Sequence, residues 1–313
     1  MKRFSLDRCP LCGCEQLEPV LTCVDSYASG EMFKLCRCAH CGFLMTQDAP
    51  AEEEIGRYYE APDYISHTDT RRGVMNRVYH WARSYMLRRK AQLVERESHA
   101  TEGRLLDIGT GTGYFAHEMV SRGWQVDAVE KSPQAREFAL QHFGLKVLPD
   151  HSLDTLPEGA YRVVTLWHVM EHLYDMQETW GRIYKLLEER GVLIVAVPNC
   201  TSWDARKYGA YWAAYDVPRH LWHFTPNTIQ QMGEKHGFIL AERFPMPLDA
   251  FYVSMLSEKH MHHKGAFLRG LLAGVPAWWA SLVRKERSSS MIYVFRKKRG
   301  GQKKSKEEDK DEQ

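Results

Sequence analysis

No apolar run in this 313-residue sequence reaches the ~20 residues a membrane-spanning helix needs, and no basic and then apolar leader is visible at its start. The expected location is therefore cytoplasmic. Charge of either sign is also not in excess. The 42 Lys and Arg nearly cancel the 40 Asp and Glu, so no global field marks a nucleic-acid binder and nucleic acid is not an expected partner. Cysteine is almost missing after residue 41: seven of the eight lie between Cys9 and Cys41, and Cys200 stands alone. That crowding excludes a disulfide framework spread over a secreted domain and points to local metal binding. No internal repeat is present.

What is present begins with CPLCG at 9–13 and CAHCG at 38–42. Two C-x-x-C-G turns give the four-thiolate tetrahedron of a structural zinc ion, with Cys9, Cys12, Cys38 and Cys41 as ligands and Cys14, Cys36 and His40 as rivals. A closed four-ligand site stabilises and does not catalyse. Residues 1–48 therefore read as a zinc ribbon and 49–100 as a helical connector, in which Val78, Trp81, Tyr85 and Leu93 share one helical face.

From Arg104 onward, apolar strands alternate with helices: RLLDIG, FAHEMVSRG, WQVDAVE, SPQAREFALQHFG, LKVLP, YRVVTLWHV, MQETWGRIYKLLEER, GVLIVAVPN. This is the pattern of a doubly wound parallel α/β sheet covered on both faces. Ser132 with Pro133 marks a helix start, and Gly144 and Gly191 stand where C-terminal caps belong. The domain is expected to span 101–298, with an insertion at about 248–288, and 299–313, which has no apolar residue, reads as a disordered tail.

LLDIGTGTGYF places Gly109, Gly111 and Gly113 where the first strand meets a helix, and glycine there lets a ligand approach the backbone. The order D-x-G-x-G-x-G lacks a third glycine inside the helix, and Glu130 ends the second strand, where a carboxylate can accept both hydroxyls of an unphosphorylated ribose. On these motifs residues 100–245 resemble the class I S-adenosylmethionine-dependent methyltransferases, DIGTGTG as their first motif and VEKSP as the acidic second. The resemblance implies a Rossmann-like sheet ending in an antiparallel hairpin, supplied by FILAERF and SMIYVFRKK. It also implies S-adenosylmethionine as cofactor: Asp107 and Gly109, Thr110, Gly111 and Gly113 at the methionine end, Glu130 on the ribose, Ser152 and Leu153 beside the adenine, Trp167 at the border.

His168, Glu171 and His172 spell H-x-x-E-H, the inverted zinc-protease pattern, but they follow directly from an apolar strand at the ligand-binding edge of the sheet, so they are expected to line the pocket. Some quinone-ring O-methyltransferases bind a divalent cation at this point; His168 stands where they carry a carboxylate, which counts against a metal. No N-P-P-Y loop follows the strand, which argues against methylation of nucleobase amines. The aromatic stretch 203–224 ends in DVPRHLWHFTP, which resembles a segment of bacterial small-molecule methyltransferases of the methyltransferase-23 type. There His220 or His223 is a candidate general base and Arg219 a candidate clamp for an anionic acceptor, with oligomer or core packing the competing role.

Paired C-x-x-C turns ahead of this fold resemble those of nucleotide-sugar C-methyltransferases and of ribosomal RNA methyltransferases whose ribbon grips RNA. IGRYYEAPDYISHTD resembles the linker of the former. The function expected is thus O- or C-methylation of a small molecule, sugar, or glycan or lipid-linked acceptor; an RNA methyltransferase or a scaffold is the alternative. Finally, AFLRGLLAGVPAWWASLVRK, which covers 266–284, is apolar with basic flanks and fits a core helix pair, a dimer face or an interfacial membrane helix.

Overall fold

A computed structural model describes residues 2–60 and 74–298, with only the backbone described for 74–82. The side chains of Val78 and Trp81 and the tail 299–313 lie outside the described residues.

The cysteine-rich start contains β1 (Arg3–Phe4), β2 (Leu17–Val24), β3 (Met32–Cys38), β4 (Leu44–Gln47) and β5 (Ala49–Pro50). Strands β2, β3 and β4 form an antiparallel meander. A 3-10 turn, Ile55–Tyr58, lies before helix α1 (Val74–Ser98) among the described residues. Ala91, Leu93 and Val94 of α1 are buried against Leu105, Phe115 and Val163, whereas Tyr85 is exposed. Of the face expected to pack, Leu93 is therefore buried and Tyr85 is not.

The α/β layer then runs β6 (Arg104–Ile108), α2 (Tyr114–Ser121), β7 (Gln125–Val129), α3 (Pro133–Phe143), β8 (Tyr161–Trp167), α4 (Met176–Leu186) and β9 (Leu187–Pro198). Next come α5 (Trp203–Tyr208), β10 (Trp222–His223), α6 (Pro226–Lys235), β11 (Phe238–Pro245), α7 (Asp249–His260), α8 (Ala266–Val283) and β12 (Ser290–Lys297). The six-stranded sheet has the order β11-β12-β9-β8-β6-β7. Strands β9, β8, β6 and β7 are parallel, and β11 and β12 form the expected antiparallel hairpin beside β9. All four parallel strands therefore deliver their following loops to one edge, where doubly wound sheets bind ligands.

Local chemistry explains most boundaries. The Ser132 hydroxyl accepts from the Ala135 N–H with Pro133 in the first turn, and Gly144 closes α3 at φ 65°. Two expectations fail. LKVLP contributes one parallel bridge, Leu148 to Val129, rather than a strand. Gly191 is not a cap but an interior residue of β9, where a Cβ would sit 3.0 Å from the Glu188 and Tyr161 carbonyl oxygens, so helix α4 stops four residues earlier than the apolar pattern suggested.

The ribbon and the α/β layer share structure. Strand β10 pairs antiparallel with β4, Trp222 opposite Met45 and His223 opposite Leu44, so the second sheet reads β10-β4-β3-β2. Phe43 stacks on Trp222 at 6.0 Å in the same hydrophobic cluster as Leu106 and Val195 of the main sheet.

Candidate active site

The glycine turn after β6 is held by backbone bonds to the neighbouring strand: Gly109 and Thr110 N–H both donate to the Val129 carbonyl, at 2.8 and 3.1 Å. Gly109 has φ 68°, and a Cβ there would meet Val169 Cγ2 at 2.5 Å. Gly111, at φ 57°, has open space where its Cβ would be. The first glycine thus serves close packing against the loop that follows β8, and the second keeps an approach to the backbone clear. Gly111 N–H donates to Glu130 Oε2 and Ser132 N–H to Glu130 Oε1, both at 2.9 Å. A carboxylate has about four acceptor positions, so two remain for a diol.

Asp107, 1% exposed, accepts from the Thr165 hydroxyl at 2.7 Å. Burial raises its carboxyl to about 6, against the pull of Thr165 and the Lys90 ammonium. Lys90, from α1, lies 4.4 Å from the centre of the Trp167 ring; burial lowers it, with Asp249 and Asp107 pulling the other way. The Trp167 indole N–H is buried with no hydrogen-bond partner among the described residues. Ser152 and Leu153 lie half-buried on the 3-10 turn Asp150–Thr155, just after the Leu148 bridge to β7.

The expected cofactor residues therefore share one edge of the sheet: a backbone cradle, a half-satisfied carboxylate at the tip of β7, a buried acid and an orphaned indole donor. This donor and acceptor set fits an adenosyl amino acid, with hydroxyls for Glu130 and a cationic amine for Asp107.

The loop after β8 begins at His168, whose φ of 59° puts a non-glycine residue in the left-handed region. This turn sends Met170–His172 into a 3-10 turn rather than an α-helix. His168 Nδ1 is 3.5 Å from Glu171 Oε1 and its Nε2 is 3.7 Å from Asp249 Oδ2. Glu171 is fully buried, and neither carboxylate oxygen has a hydrogen-bond partner of normal length among the described residues. Burial pushes Glu171 toward the neutral form, but His168, His220 and His172 outweigh it and hold the carboxyl below its usual range.

His172 Nδ1 lies 3.0 Å from the Arg219 carbonyl and 3.1 Å from the Tyr59 hydroxyl. A carbonyl only accepts, so Nδ1 carries the proton and Nε2 is left as the acceptor. By the same argument His220 donates from Nδ1 to the Ala214 carbonyl at 2.9 Å, and its Nε2 lies 3.7 Å from Asp216 Oδ2. Burial, reinforced by His220, lowers His172 to about 4, so its ring is neutral at physiological pH. Ligand atoms of Glu171, His172 and His220 lie within 4.8 Å of one another, a constellation able to share a proton or a divalent cation.

His168, Glu171, His172 and His220 are thus brought together. His223 is not: its Nε2 lies 2.9 Å from the Thr46 hydroxyl, and burial holds it well below the ordinary histidine range. Arg219 is likewise withdrawn. Fully buried, it donates to Asp25 Oδ1 (3.0 Å), Asp216 Oδ1 (2.6 Å) and the Tyr58 carbonyl (2.8 Å), and so cannot clamp an acceptor. Three site residues escaped sequence reasoning. Lys90 sits in a helix that reads only as charged, Tyr59 belongs to the ribbon side, and Asp249 opens an insertion; the acid at the first turn of α7 was the one available signal.

At the other end of the chain, Cys9 and Cys41 Sγ are 3.5 Å apart, as are Cys12 and Cys38, and all four lie within 4.8 Å. A zinc tetrathiolate has edges of about 3.8 Å, so the group fits the ion. Gly13 and Gly42 turn back at φ 78° and 74°, their N–H groups donating to the Cys9 and Cys38 carbonyls. Cys14, Cys36 and His40 are not part of the cluster.

The Methyltransf_23 family model, a methyltransferase domain, matches residues 80–242, just over half of the chain. A ubiquinone biosynthesis O-methyltransferase of Rhodopseudomonas palustris is 28% identical over 151 residues, covering 45% of this chain and 60% of that protein. One from Caulobacter sp. is 35% identical over 130 residues, covering 38% and 52%, and a malonyl-[acyl-carrier protein] O-methyltransferase of Serratia marcescens is 28% identical over 133, covering 42% and 51%. The chain thus spans between half and three fifths of the length of these curated relatives. Among solved structures, a sarcosine dimethylglycine methyltransferase, so described provisionally, from Galdieria sulphuraria superposes with a TM-score of 0.49 at 14% identity, covering 67% of this chain and 85% of that one. With its glycine cradle, its acidic strand tip and this family match, the chain belongs to the S-adenosylmethionine-dependent methyltransferases of the Methyltransf_23 family.

Proposed function

We propose that the protein transfers the methyl group of S-adenosylmethionine to an oxygen or carbon of a small-molecule acceptor, a sugar or glycan or a lipid-linked compound included. The observation that carries this reading is the juxtaposition of the Gly109–Gly113 cradle with the cluster of His168, Glu171, His172 and His220 through the Val169 contact. When bound, the cofactor supplies the electrophilic methyl. Gly109, Thr110, Gly111 and Gly113 would hold its methionine end with Asp107, Glu130 its ribose, Ser152 and Leu153 its adenine, and Trp167 its edge.

Methyl transfer needs proximity, exclusion of water, and an acceptor relieved of its proton. His168 is the half-exposed member of the cluster and the one in reach of two carboxylates, Glu171 and Asp249. It takes the acceptor's proton, and the two carboxylates stabilise the imidazolium that results. Glu171 faces His172 and His220, whose Nδ1–H groups donate to backbone carbonyls, so the rings around the carboxylate keep a fixed orientation. Zinc on Cys9, Cys12, Cys38 and Cys41 would be structural, and an assembly of several copies would be compatible with this chemistry.

The test is formation of S-adenosylhomocysteine on incubation with an extract of small molecules. Glu171→Gln is expected to lose turnover by about 10²-fold or more while retaining S-adenosylhomocysteine affinity. Undiminished turnover in that variant, or no cofactor uptake by the wild type, would refute the assignment.

A further inference from the structure

Helix α8 is packed the wrong way round for a globular protein. Its buried face consists of Gly270, Ala273, Gly274, Ala277 and Ser281, all small, spaced at one helical stripe. A Cβ on Gly270 would meet Met255 Cα at 2.3 Å, and one on Gly274 would meet Phe251 Cδ1 at 2.5 Å, so the stripe serves close approach to α7. The opposite stripe, Leu268, Leu272, Val275, Trp279 and Leu282, runs at intervals of four, three, four and three residues and faces outward, with Leu268, Leu272 and Trp279 each more than 60% exposed. Pro276 does not end the helix and lies on the exposed side.

In an ordinary surface helix these faces are exchanged, large apolar residues inward and polar ones outward. Here an 18-residue helix carries a single charge, Arg269, and none that is acidic. Cations bracket the outward stripe: Lys264 before it, Arg269 beside it, and Arg284, Lys285 and Arg287 after it, all exposed. The one acid among these last residues, Glu286, lies 3.4 Å from Arg243.

We infer that α8 is a docking helix for an anionic lipid surface, lying in the plane of the interface with Leu268, Leu272, Val275, Trp279 and Leu282 in the acyl boundary and the flanking cations at the headgroups. An apolar stripe bordered by lysine and arginine is complementary to such a surface on both counts. It is poorly complementary to itself. Two α8 helices meeting about a two-fold axis would set Lys264 of one against Arg284 and Lys285 of the other. An in-plane seat also leaves the glycine and alanine stripe packed on α7, the helix whose first residue, Asp249, reaches His168 in the pocket.

This inference rests on α8 and not on the reaction. The test uses full-length protein, phosphatidylcholine vesicles with and without about one third phosphatidylglycerol, and S-adenosylhomocysteine uptake read in the same samples. Wild type is expected to float with the anionic vesicles, and at least about tenfold less with neutral ones or at high salt. The double variant Leu272→Glu with Trp279→Glu, and separately Arg284→Glu with Lys285→Glu, should each lose at least about tenfold in vesicle binding while keeping cofactor uptake, which shows that they are folded. Equal flotation with neutral vesicles overturns the inference. So does no flotation of wild type, or a concentration-dependent dimer in sedimentation that Leu272→Glu abolishes without any vesicle binding.

Discussion

Two glycine loop positions and one buried acid set the chemistry at the scale of single residues. Gly109→Ala places a methyl group 2.5 Å from Val169 at φ 68°, so it should cost about 1–3 kcal/mol of stability and weaken S-adenosylhomocysteine uptake at least tenfold, checked by thermal melting and calorimetry. Gly111→Ala meets no protein atom and should show only the smaller backbone cost in stability, while its methyl group narrows the approach to the backbone and should weaken S-adenosylhomocysteine uptake. Asp107 makes an opposite pair of predictions. Its folded value, about 6, lies above the ordinary 3.8, so its contribution to stability is fully present below about pH 4 and is lost as pH rises through 6. Asp107→Asn should therefore melt higher than wild type at neutral pH while binding the cofactor product more weakly. Wild-type affinity should fall as pH drops below about 6, and the Asn variant should not share that slope. These positions were legible because each is a local device: a glycine where the chain must bend, an acid at the end of a strand. His168 was legible by type and place but not by geometry, since nothing in W-H-V-M-E-H announces a left-handed residue followed by a 3-10 turn.

At the scale of elements, the parallel strands read directly from apolar runs, whereas the strand that joins the two sheets did not. Trp222 and His223 are only two residues long as a strand, too short for any alternation, and their partner lies in the ribbon. The same blindness hid the fate of Arg219, which reads as a ligand clamp until Asp25, 194 residues away, is seen beside it. Arg219 is a fully buried charge shared by the ribbon and the pocket segment, so Arg219→Met should cost about 3–5 kcal/mol by stranding Asp25 and Asp216. Thr46 ties the same two pieces, donating to the His220 carbonyl at 2.7 Å. If zinc holds the ribbon, a chelator or Cys12→Ser should depress turnover more than S-adenosylhomocysteine affinity, because the ribbon supports His220 and Tyr59 while the cofactor cradle hangs from β6 and β7. Equal loss of both would show the ion to be required for the whole fold.

For the molecule as a whole, the α/β layer explains where chemistry happens and the additions explain what reaches it. The family match ends at residue 242, before Asp249, and begins at residue 80, after Tyr59, so two of the groups that complete the pocket come from outside the matched span. A fragment cut to residues 80–242 is expected to lack turnover, and its aromatic segment, stripped of β4, should be prone to aggregation on expression. Measuring solubility and S-adenosylhomocysteine binding of that fragment beside the full chain checks this. The bond between Thr46 and His223, 177 positions apart, also sets an order of events at the ribosome. Strand β4 is synthesised well before its partner: its far edge stays unpaired until all four parallel strands of the α/β layer have been made, and only then does a two-residue strand close it. The cysteine-rich sheet is, by this geometry, closed only after the parallel core that follows it in sequence.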